Sequence, residues 1–157
     1  MKYAYPSRRN VVYARHAMAC TSVPLGAQIG LDIMKRGGNA MDAAVAMAAA
    51  MPLLEPTGNG LGSDCFALVW IEAEQKLYGL NASGRAAFQA TVQYYADKGL
   101  NRIPSRGWDA AITVPGAVSG WDEAFRFAHD AMGSSMEWKD LFTSSIEYSR
   151  HGCPVST

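Results

Sequence analysis

The sequence predicts an α+β domain, and three observations support this fold class. Apolar residues first recur at helical spacing, with proline and glycine at the expected helix ends. They then form two short apolar runs around a polar turn, which is the pattern of a β-hairpin. Hydrophobic residues make up 49% of the chain and charged residues 18%, a composition that favours a packed core over disorder.

The net charge argues against two classes of partner. Lys plus Arg and Asp plus Glu each number 14, so the formal charge is zero. Proteins that bind nucleic acid or anionic membranes usually carry a basic excess. The sequence therefore predicts neither nucleic acid nor a membrane as a partner.

The three cysteines, Cys20, Cys65 and Cys153, have no regular spacing and form no CxxC motif. This pattern argues against a disulfide framework and against a zinc site. We expect reduced thiols that pack as small hydrophobic side chains, and no metal or other cofactor. The apolar run at 43–54 is too short to span a bilayer, and residues 1–15 are polar and basic, unlike a signal peptide. We therefore expect a soluble cytoplasmic protein.

The first predicted elements lead into a helix. Residues 1–14 are predicted to form an extended arm, and residues 17–20 a short strand. Apolar residues one turn apart then predict a helix over 24–36. Ser22 is its expected N-cap, and a pair of glycines ends it.

A second helix is predicted over 40–51, with Asn39 as its cap and with Pro52 and Pro56 ending it. Alanine occurs on every face of this helix. Because such a helix has no polar face, we expect it to be buried against a sheet or other helices. The glycine loop GNGLG at 58–62 follows, and it precedes a strand, whereas a phosphate-binding loop precedes a helix.

The remaining elements follow from the same signals. An apolar strand, a polar turn and a return strand predict the hairpin. Apolar residues at helical spacing predict three later helices, with a short apolar segment before the second of them. The predicted hairpin is 65–80, with strands 65–71 and 77–80; the helices are 92–98, 118–131 and 138–151, and the apolar segment is 112–114.

No group of residues points by itself to a catalytic site. His16, His129 and His151 lie in separate predicted elements, and no serine stands in a GxSxG motif. A Ser/His/Asp triad therefore has little support. Glu55 and Asp64 flank the glycine loop, but the spacing does not require them to pair. Composition and spacing alone predict a mixed α and β domain.

Several segments stand in an order that goes further. They are RGGNAMDAAVA at 36–46, the glycine loop, VPGAVSG at 114–120, WKDLF at 138–142 and GCPVS at 152–156. This series resembles the start of the large subunit of γ-glutamyltransferases, and the resemblance covers residues 17–156. It implies that residues 1–157 are the N-terminal part of such a subunit, with the rest of that subunit and the small subunit absent.

The resemblance implies a fold and a nucleophile. The fold is the four-layer αββα sandwich of N-terminal-nucleophile hydrolases, of which this chain would be an N-terminal fragment. In the family, a precursor cuts itself before a threonine, whose hydroxyl attacks the substrate amide while its own amine acts as base. That threonine stands before Thr-His or Ser-His, and no threonine of this chain does. The nucleophile would therefore come from a downstream segment, and no catalytic residue is assigned here.

A binding residue of the family should fall within the chain. The family carries an Arg-Glu pair after the hairpin, and its arginine holds the α-carboxylate of the substrate. An ungapped alignment places that arginine at Ser83, and the nearest arginine is Arg85, in NASGRA at 81–86. This variant, with GSDCF at 62–66, resembles the acylase-like and oxamate-hydrolase-like branch of the family.

Hairpin geometry adds a third candidate. A turn centred near 73–74 brings Asp64 opposite the neighbourhood of 83–85, where it would meet Arg85. Asp64 would then either orient Arg85 toward a substrate carboxylate or form a plain ion pair that closes the sheet end. The candidate substrate-binding residues are therefore Ser83, Arg85 and Asp64.

The resemblance also implies an activity and partners. The activity is that of an autoprocessed amide hydrolase or acyltransferase, of the kind that acts in glutathione metabolism. Its partners would be a small amide substrate with a carboxylate and the small subunit of the same precursor. The alternative is a remnant without a nucleophile that only binds or dimerises.

Overall fold

The computed structural model describes residues 10–110 and 112–154. Its helices and strands follow in the predicted order, except that no strand forms at 17–20 and the last predicted helix is divided into two. In chain order they are α1 (Pro24–Lys35), α2 (Ala40–Leu54), β1 (Cys65–Ile71), β2 (Lys76–Ala82), α3 (Val92–Asp97), α4 (Ala117–Met132), α5 (Trp138–Leu141) and α6 (Thr143–His151).

Helix α1 confirms the prediction of a helix that starts at Pro24, but not its cap. Val23 is the N-cap residue and makes no side-chain hydrogen bond to the helix. The prediction that Ser22 caps the helix is wrong, because its hydroxyl instead donates to a carboxylate oxygen of Glu55 over 2.6 Å. The helix ends as predicted at the glycine pair, where Gly37 has a φ of 99°.

Helix α2 is buried, as its alanine content predicts. Asn39 caps it, since its side chain accepts from the N–H groups of Met41 and Asp42, and the Asp42 carboxylate accepts the Asn39 N–H in return. Of the two prolines predicted to end the helix, Pro52 lies within its last turn, and α2 ends at Leu54, two residues before Pro56. The missing N–H of Pro52 removes only one bond in the last turn, and Leu54 is buried.

The hairpin has the predicted turn centre. Cys65 pairs with Ala82 and Ile71 with Lys76, so the pairing is antiparallel and centred between 73 and 74. A 3₁₀ turn at Glu72–Glu74 joins the strands, followed by Gln75 in the left-handed region with a φ of 52°. The return strand is longer than the predicted 77–80, because the ladder starts at Lys76 and extends to Ala82.

The two faces of the hairpin differ. Cys65, Ala67, Val69 and Leu80 pack against the helical core. The opposite face is apolar but exposed to solvent. Its large exposed side chains are Phe66, Leu68, Trp70 and Leu77. The described residues thus form a helical layer on one face of a two-stranded sheet and leave the other face uncovered.

Two predictions in the outer parts of the chain are wrong. No strand forms at 17–20, and the Cβ of Ala19 lies beside Gly30 of α1, so this run packs on a helix instead. The predicted helix 138–151 is broken into α5 and α6 at Phe142, whose ring packs 4.6 Å from that of Trp138 and 6.3 Å from that of Trp121. The predicted arm lies outside the described residues up to position 9.

The core is centred on α2, which contacts α1, α4, α5 and α6. Its large buried side chains include Ile29, Ile33, Trp121 and Leu141. The predicted helices 92–98 and 118–131 are confirmed as α3 and α4. None of the helices in 10–110 and 112–154 is long and apolar enough to cross a membrane.

The cap of α2 generates the first prediction. Asp42 is fully buried, and its carboxylate accepts hydrogen bonds from the Asn39 N–H and from the Ser134 hydroxyl over 2.6 Å. Asp42→Ala removes both bonds and leaves Ser134 without this partner. We expect the free energy of unfolding, measured by urea denaturation, to fall by about 2–4 kcal/mol.

Asp32→Ala is the matched control. Asp32 also accepts two side-chain hydrogen bonds, from Gln28 and Lys35, but on the exposed surface of α1. We expect this change to alter the free energy of unfolding by less than about 0.5 kcal/mol. Equal effects of the two substitutions would contradict the role given to the α2 cap.

Candidate substrate-binding groove

An open groove of about 590 Å³ lies where β2 ends and α4 begins. Three parts of the chain form its wall: the end of β2, the loop that follows it, and the first turns of α4. The lining residues that carry polar side chains are Asn81, Ser83, Arg85, Ser119 and Glu123.

The loop after β2 is held by backbone contacts. Val114 donates its N–H to the Arg85 carbonyl over 2.9 Å, and Thr113 donates its hydroxyl to the Ser83 carbonyl over 2.9 Å. Between the two, Gly84 has a φ of 79°, and a Cβ on it would lie 1.7 Å from the Val114 carbonyl oxygen. Only glycine satisfies both the backbone angle and the close approach.

The start of α4 is held against the hairpin in a similar way. The N–H groups of Gly116 and Ala117 both donate to the Ser63 carbonyl, over 3.2 Å and 2.8 Å. A Cβ on Gly116 would lie 2.0 Å from the Ala82 carbonyl oxygen. A Cβ on Gly120, one turn later, would lie 2.8 Å from the Cβ atoms of both Cys65 and Ala82. The start of β1 and the end of β2 are therefore both pinned to the segment 113–120.

Two of the three predicted site residues line the groove. Ser83 is half-buried, and its N–H donates to the Asn81 side chain over 3.1 Å. Arg85 is exposed. Within the residues that the structure describes, the guanidinium of Arg85 forms no salt bridge with a carboxylate.

Asp64 does not join them. Continuing the register past Cys65 and Ala82 places Asp64 opposite Ser83, as expected. However, no ion pair joins Asp64 to Arg85 among the described residues, so Asp64 neither orients Arg85 nor closes the sheet end with it. Asp64 also does not line the groove. Glu55, the other acidic residue beside the glycine loop, accepts hydrogen bonds from Ser22 and Asn59.

Sequence reasoning missed three groove residues, Asn81, Ser119 and Glu123. The first stands two positions before Ser83, and the others lie on α4 within or just after the VPGAVSG segment. That segment carried part of the family resemblance, but no role was assigned to its members. Their place in the groove follows from the docking of α4 on the hairpin, which no local pattern encodes.

The groove offers a group that can bind an anion. Its exposed guanidinium can hold a carboxylate with charge-assisted hydrogen bonds. Among the described residues, the groove lining includes neither a histidine nor a cysteine. The nearby Cys65 packs against Gly120, and burial raises the pKa of its thiol, which disfavours the reactive thiolate. No cluster of potential metal ligands occurs in 10–110 and 112–154.

Comparison with known proteins gives consistent matches. The Gamma-glutamyltranspeptidase family matches residues 26–157. The oxamate amidohydrolase proenzyme of Klebsiella pneumoniae is 41% identical over 141 residues, covering 90% of this chain and 26% of that proenzyme.

The crystal structure of cephalosporin acylase from Bacillus halodurans is 47% identical with a TM-score of 0.80, covering 99% of this chain and 28% of the acylase. That of Helicobacter pylori gamma-glutamyltranspeptidase is 27% identical with a TM-score of 0.72, covering 88% of this chain and 39% of the other.

These structures confirm the predicted fold, that of the N-terminal-nucleophile hydrolases. Within that class, the chain belongs to the γ-glutamyltranspeptidase family. Its higher identity to the oxamate amidohydrolase and the cephalosporin acylase than to the Helicobacter pylori enzyme confirms the predicted branch. The chain spans about a quarter of the length of the Klebsiella pneumoniae and Bacillus halodurans relatives.

The close approach at Gly84 generates the second prediction. Gly84→Ala forces a side chain into the left-handed region and against the Val114 carbonyl. The first effect costs about 1–2 kcal/mol and the second adds about 1–3 kcal/mol to the loss in the free energy of unfolding. Urea denaturation of the variant measures the sum.

Gly99→Ala separates the two effects. Gly99 also has a positive φ, 69°, but nothing lies within 4 Å of the position that its Cβ would occupy. We expect this control to lose only the backbone contribution. If the two glycine variants lost the same stability, segment 113–114 would not pack against the loop as described.

Proposed function

We propose that this chain is the N-terminal part of the large subunit of a γ-glutamyltransferase-like precursor, which hydrolyses or transfers the acyl group of a small amide. Two findings support this. The chain matches its family over residues 26–157 while spanning about a quarter of its relatives' length. The Klebsiella pneumoniae relative, moreover, is a proenzyme. The nucleophile in this proposal is a threonine that a downstream segment supplies.

In the proposed reaction, the threonine oxygen attacks the carbonyl carbon of the amide. An O–C bond forms, the C–N bond breaks, and the threonine amine passes the proton of the hydroxyl to the departing nitrogen. Water then hydrolyses the resulting ester, or an amine takes the acyl group. The residues of this chain bind and orient the substrate, and they take no direct part in these bond changes.

The groove is the proposed binding site for the carboxylate on the acid side of that amide. The observation that carries this assignment is Arg85, which lines the groove and has no carboxylate partner among the described residues. A guanidinium binds a carboxylate through two parallel hydrogen bonds. The Klebsiella pneumoniae relative is an oxamate amidohydrolase, and oxamate carries a carboxylate beside its amide. Ser83 is the second proposed contact, because its side chain belongs to the same wall.

The proposal includes partners and a location. The small subunit of the same precursor is the expected protein partner, and the uncovered apolar face of the hairpin offers it a surface to cover. Zero net charge gives no support to a nucleic acid or membrane partner. A cytoplasmic location is proposed as well, since Cys20, Cys65 and Cys153 are free thiols, as is usual in a reducing compartment.

A second candidate function is a catalytically inactive remnant that only binds or dimerises. The exposed apolar face of the hairpin favours it, because such faces often mark association sites. The reading frame beyond Thr157 separates the two candidates. A downstream threonine followed by Thr-His or Ser-His supports the enzyme, whereas a natural stop codon after Thr157 supports the remnant.

Arg85→Ala in the complete, processed enzyme generates the third prediction. Loss of the guanidinium removes a charge-assisted contact worth about 1.5–3 kcal/mol, so KM for oxamate should rise by about tenfold or more. We expect kcat to change less, because the carboxylate is bound in both the ground state and the transition state. Steady-state kinetics measure both constants.

Arg126→Ala is the matched control. Arg126 is an exposed arginine of α4 that pairs with Asp122 over 2.8 Å and does not line the groove. We expect its KM to equal that of the unmodified enzyme. An unchanged KM in Arg85→Ala would remove the binding role proposed for Arg85.

The isolated chain generates the fourth prediction. Residues 1–157 alone should neither process themselves nor turn over a γ-glutamyl anilide or oxamate, because the threonine, its amine and the oxyanion hole belong to the missing part. The apolar hairpin face should also make the isolated chain self-associate, which size-exclusion chromatography measures. Turnover above that of a Ser83→Ala, Arg85→Ala double variant would show that the active site lies within these residues.

A further inference from the structure

The loop that carries Arg85 is fixed on both sides of that residue. The Ser83 carbonyl, which belongs to the peptide before Gly84, accepts the Thr113 hydroxyl over 2.9 Å. The Arg85 carbonyl, which belongs to the peptide after Arg85, accepts the Val114 N–H over 2.9 Å. Gly84 and Arg85 therefore lie between two peptide groups that are each fixed by a hydrogen bond.

Of these two anchors, only one depends on a side chain. The Val114 N–H is a backbone group and is available whatever the residue, whereas the other donor is specific to the hydroxyl of Thr113. In the described part of the chain, this is the one side-chain hydrogen bond that reaches 83–85 from a distant part of the sequence; the other, from Asn81, is local. Thr113 is half-buried and does not line the groove.

The hydrogen bond to the Ser83 carbonyl also restricts the backbone conformation of Gly84. Glycine adopts positive and negative φ with similar ease, so Gly84 does not by itself keep the chain in its observed turn. Fixing the Ser83–Gly84 peptide plane fixes that turn. The direction of the Arg85 side chain depends on it, because a small rotation at the backbone moves the guanidinium at the far end of the side chain by a larger distance.

We propose that Thr113 is a positioning residue: its hydroxyl holds the Ser83–Gly84 peptide and thereby directs Arg85 into the groove. This inference rests on the proposed function, in which Arg85 binds the substrate carboxylate. Thr113 does not touch the substrate. Its contribution is to keep the guanidinium where a carboxylate can meet both of its donor groups, and misplacement at a binding group costs affinity.

The test uses the complete, processed enzyme with oxamate as substrate. Thr113→Val keeps the shape of the side chain and removes the hydroxyl, so KM should rise about fivefold to tenfold with little change in kcat, the effect of one hydrogen bond. Thr113→Ser restores the donor and should return KM to within about twofold of the unmodified value. KM does not depend on the fraction of folded enzyme, and Thr113→Ala provides a second variant without the hydroxyl.

Thr91→Val is the matched control. Its hydroxyl oxygen accepts the Tyr94 N–H over 3.2 Å, a local contact at the start of α3 and away from the groove. This variant should lose stability without a change in KM. If Thr113→Val behaves in the same way, losing only stability, Thr113 is a structural residue and the positioning role is overturned.

A double-mutant cycle with Arg85→Ala separates the inference from the function on which it rests. If Thr113 acts through Arg85, then Thr113→Val should raise KM no further in an Arg85→Ala background. Independent, additive effects would overturn the positioning role while leaving Arg85 as the carboxylate ligand. An unchanged KM in Arg85→Ala alone would overturn both the binding role and the positioning role.

Discussion

The arrangement of this chain depends on the close contact between segment 113–120 and the open end of the hairpin. Three glycines permit it. Gly84 lets the chain turn beneath Val114, Gly116 lies against the Ala82 carbonyl, and Gly120 lets α4 rest on the inner face of both strands. A single methyl group at any of these positions would meet backbone or Cβ atoms, which cannot move aside without a shift of the main chain. Because of this contact, the end of β2 and the start of α4 form one wall.

The helical layer supports that wall from behind. Helix α2 consists largely of alanine, so that α1, α4, α5 and α6 approach it closely on several sides. Polar bonds fix the end of α4 relative to α2, since the Asn39 amide donates to the Ala128 carbonyl over 3.2 Å and the Ser134 hydroxyl to Asp42 over 2.6 Å. Both ends of α4 are therefore held, its start by the hairpin and its end by the cap of α2. The groove lies at the end of α4 that the hairpin holds.

Much of the fold could be predicted from the sequence, because its signals are local. Proline and glycine mark α1, Asn39 and Asp42 form a capping box for α2, and two apolar runs around a polar turn indicate the strands and the turn centre. The failures share a cause, which is that distant contacts decided them. Ser22 bonds to Glu55 instead of capping α1, and the run 17–20 packs beside Gly30 of α1 instead of forming a strand.

The candidate site likewise contains some residues that the sequence indicated and others that only tertiary contacts bring there. Ser83 and Arg85 were predicted from the family resemblance, and both line the groove, while their role in binding a substrate stays a prediction. The expected partner of Arg85 could not be assigned correctly, since strand register brings Asp64 opposite Ser83 but does not determine where the two side chains point. Thr113 and Glu123 approach the same loop only after α4 docks on the hairpin, which no spacing in the sequence encodes.

The most direct test of this account is a crystal structure of the complete, processed enzyme with oxamate bound. We expect the oxamate carboxylate to lie in the groove, within hydrogen-bond distance of the Arg85 guanidinium, with its amide directed away from the hairpin toward the proposed downstream threonine. A carboxylate bound elsewhere, with Arg85 still facing solvent, would contradict it.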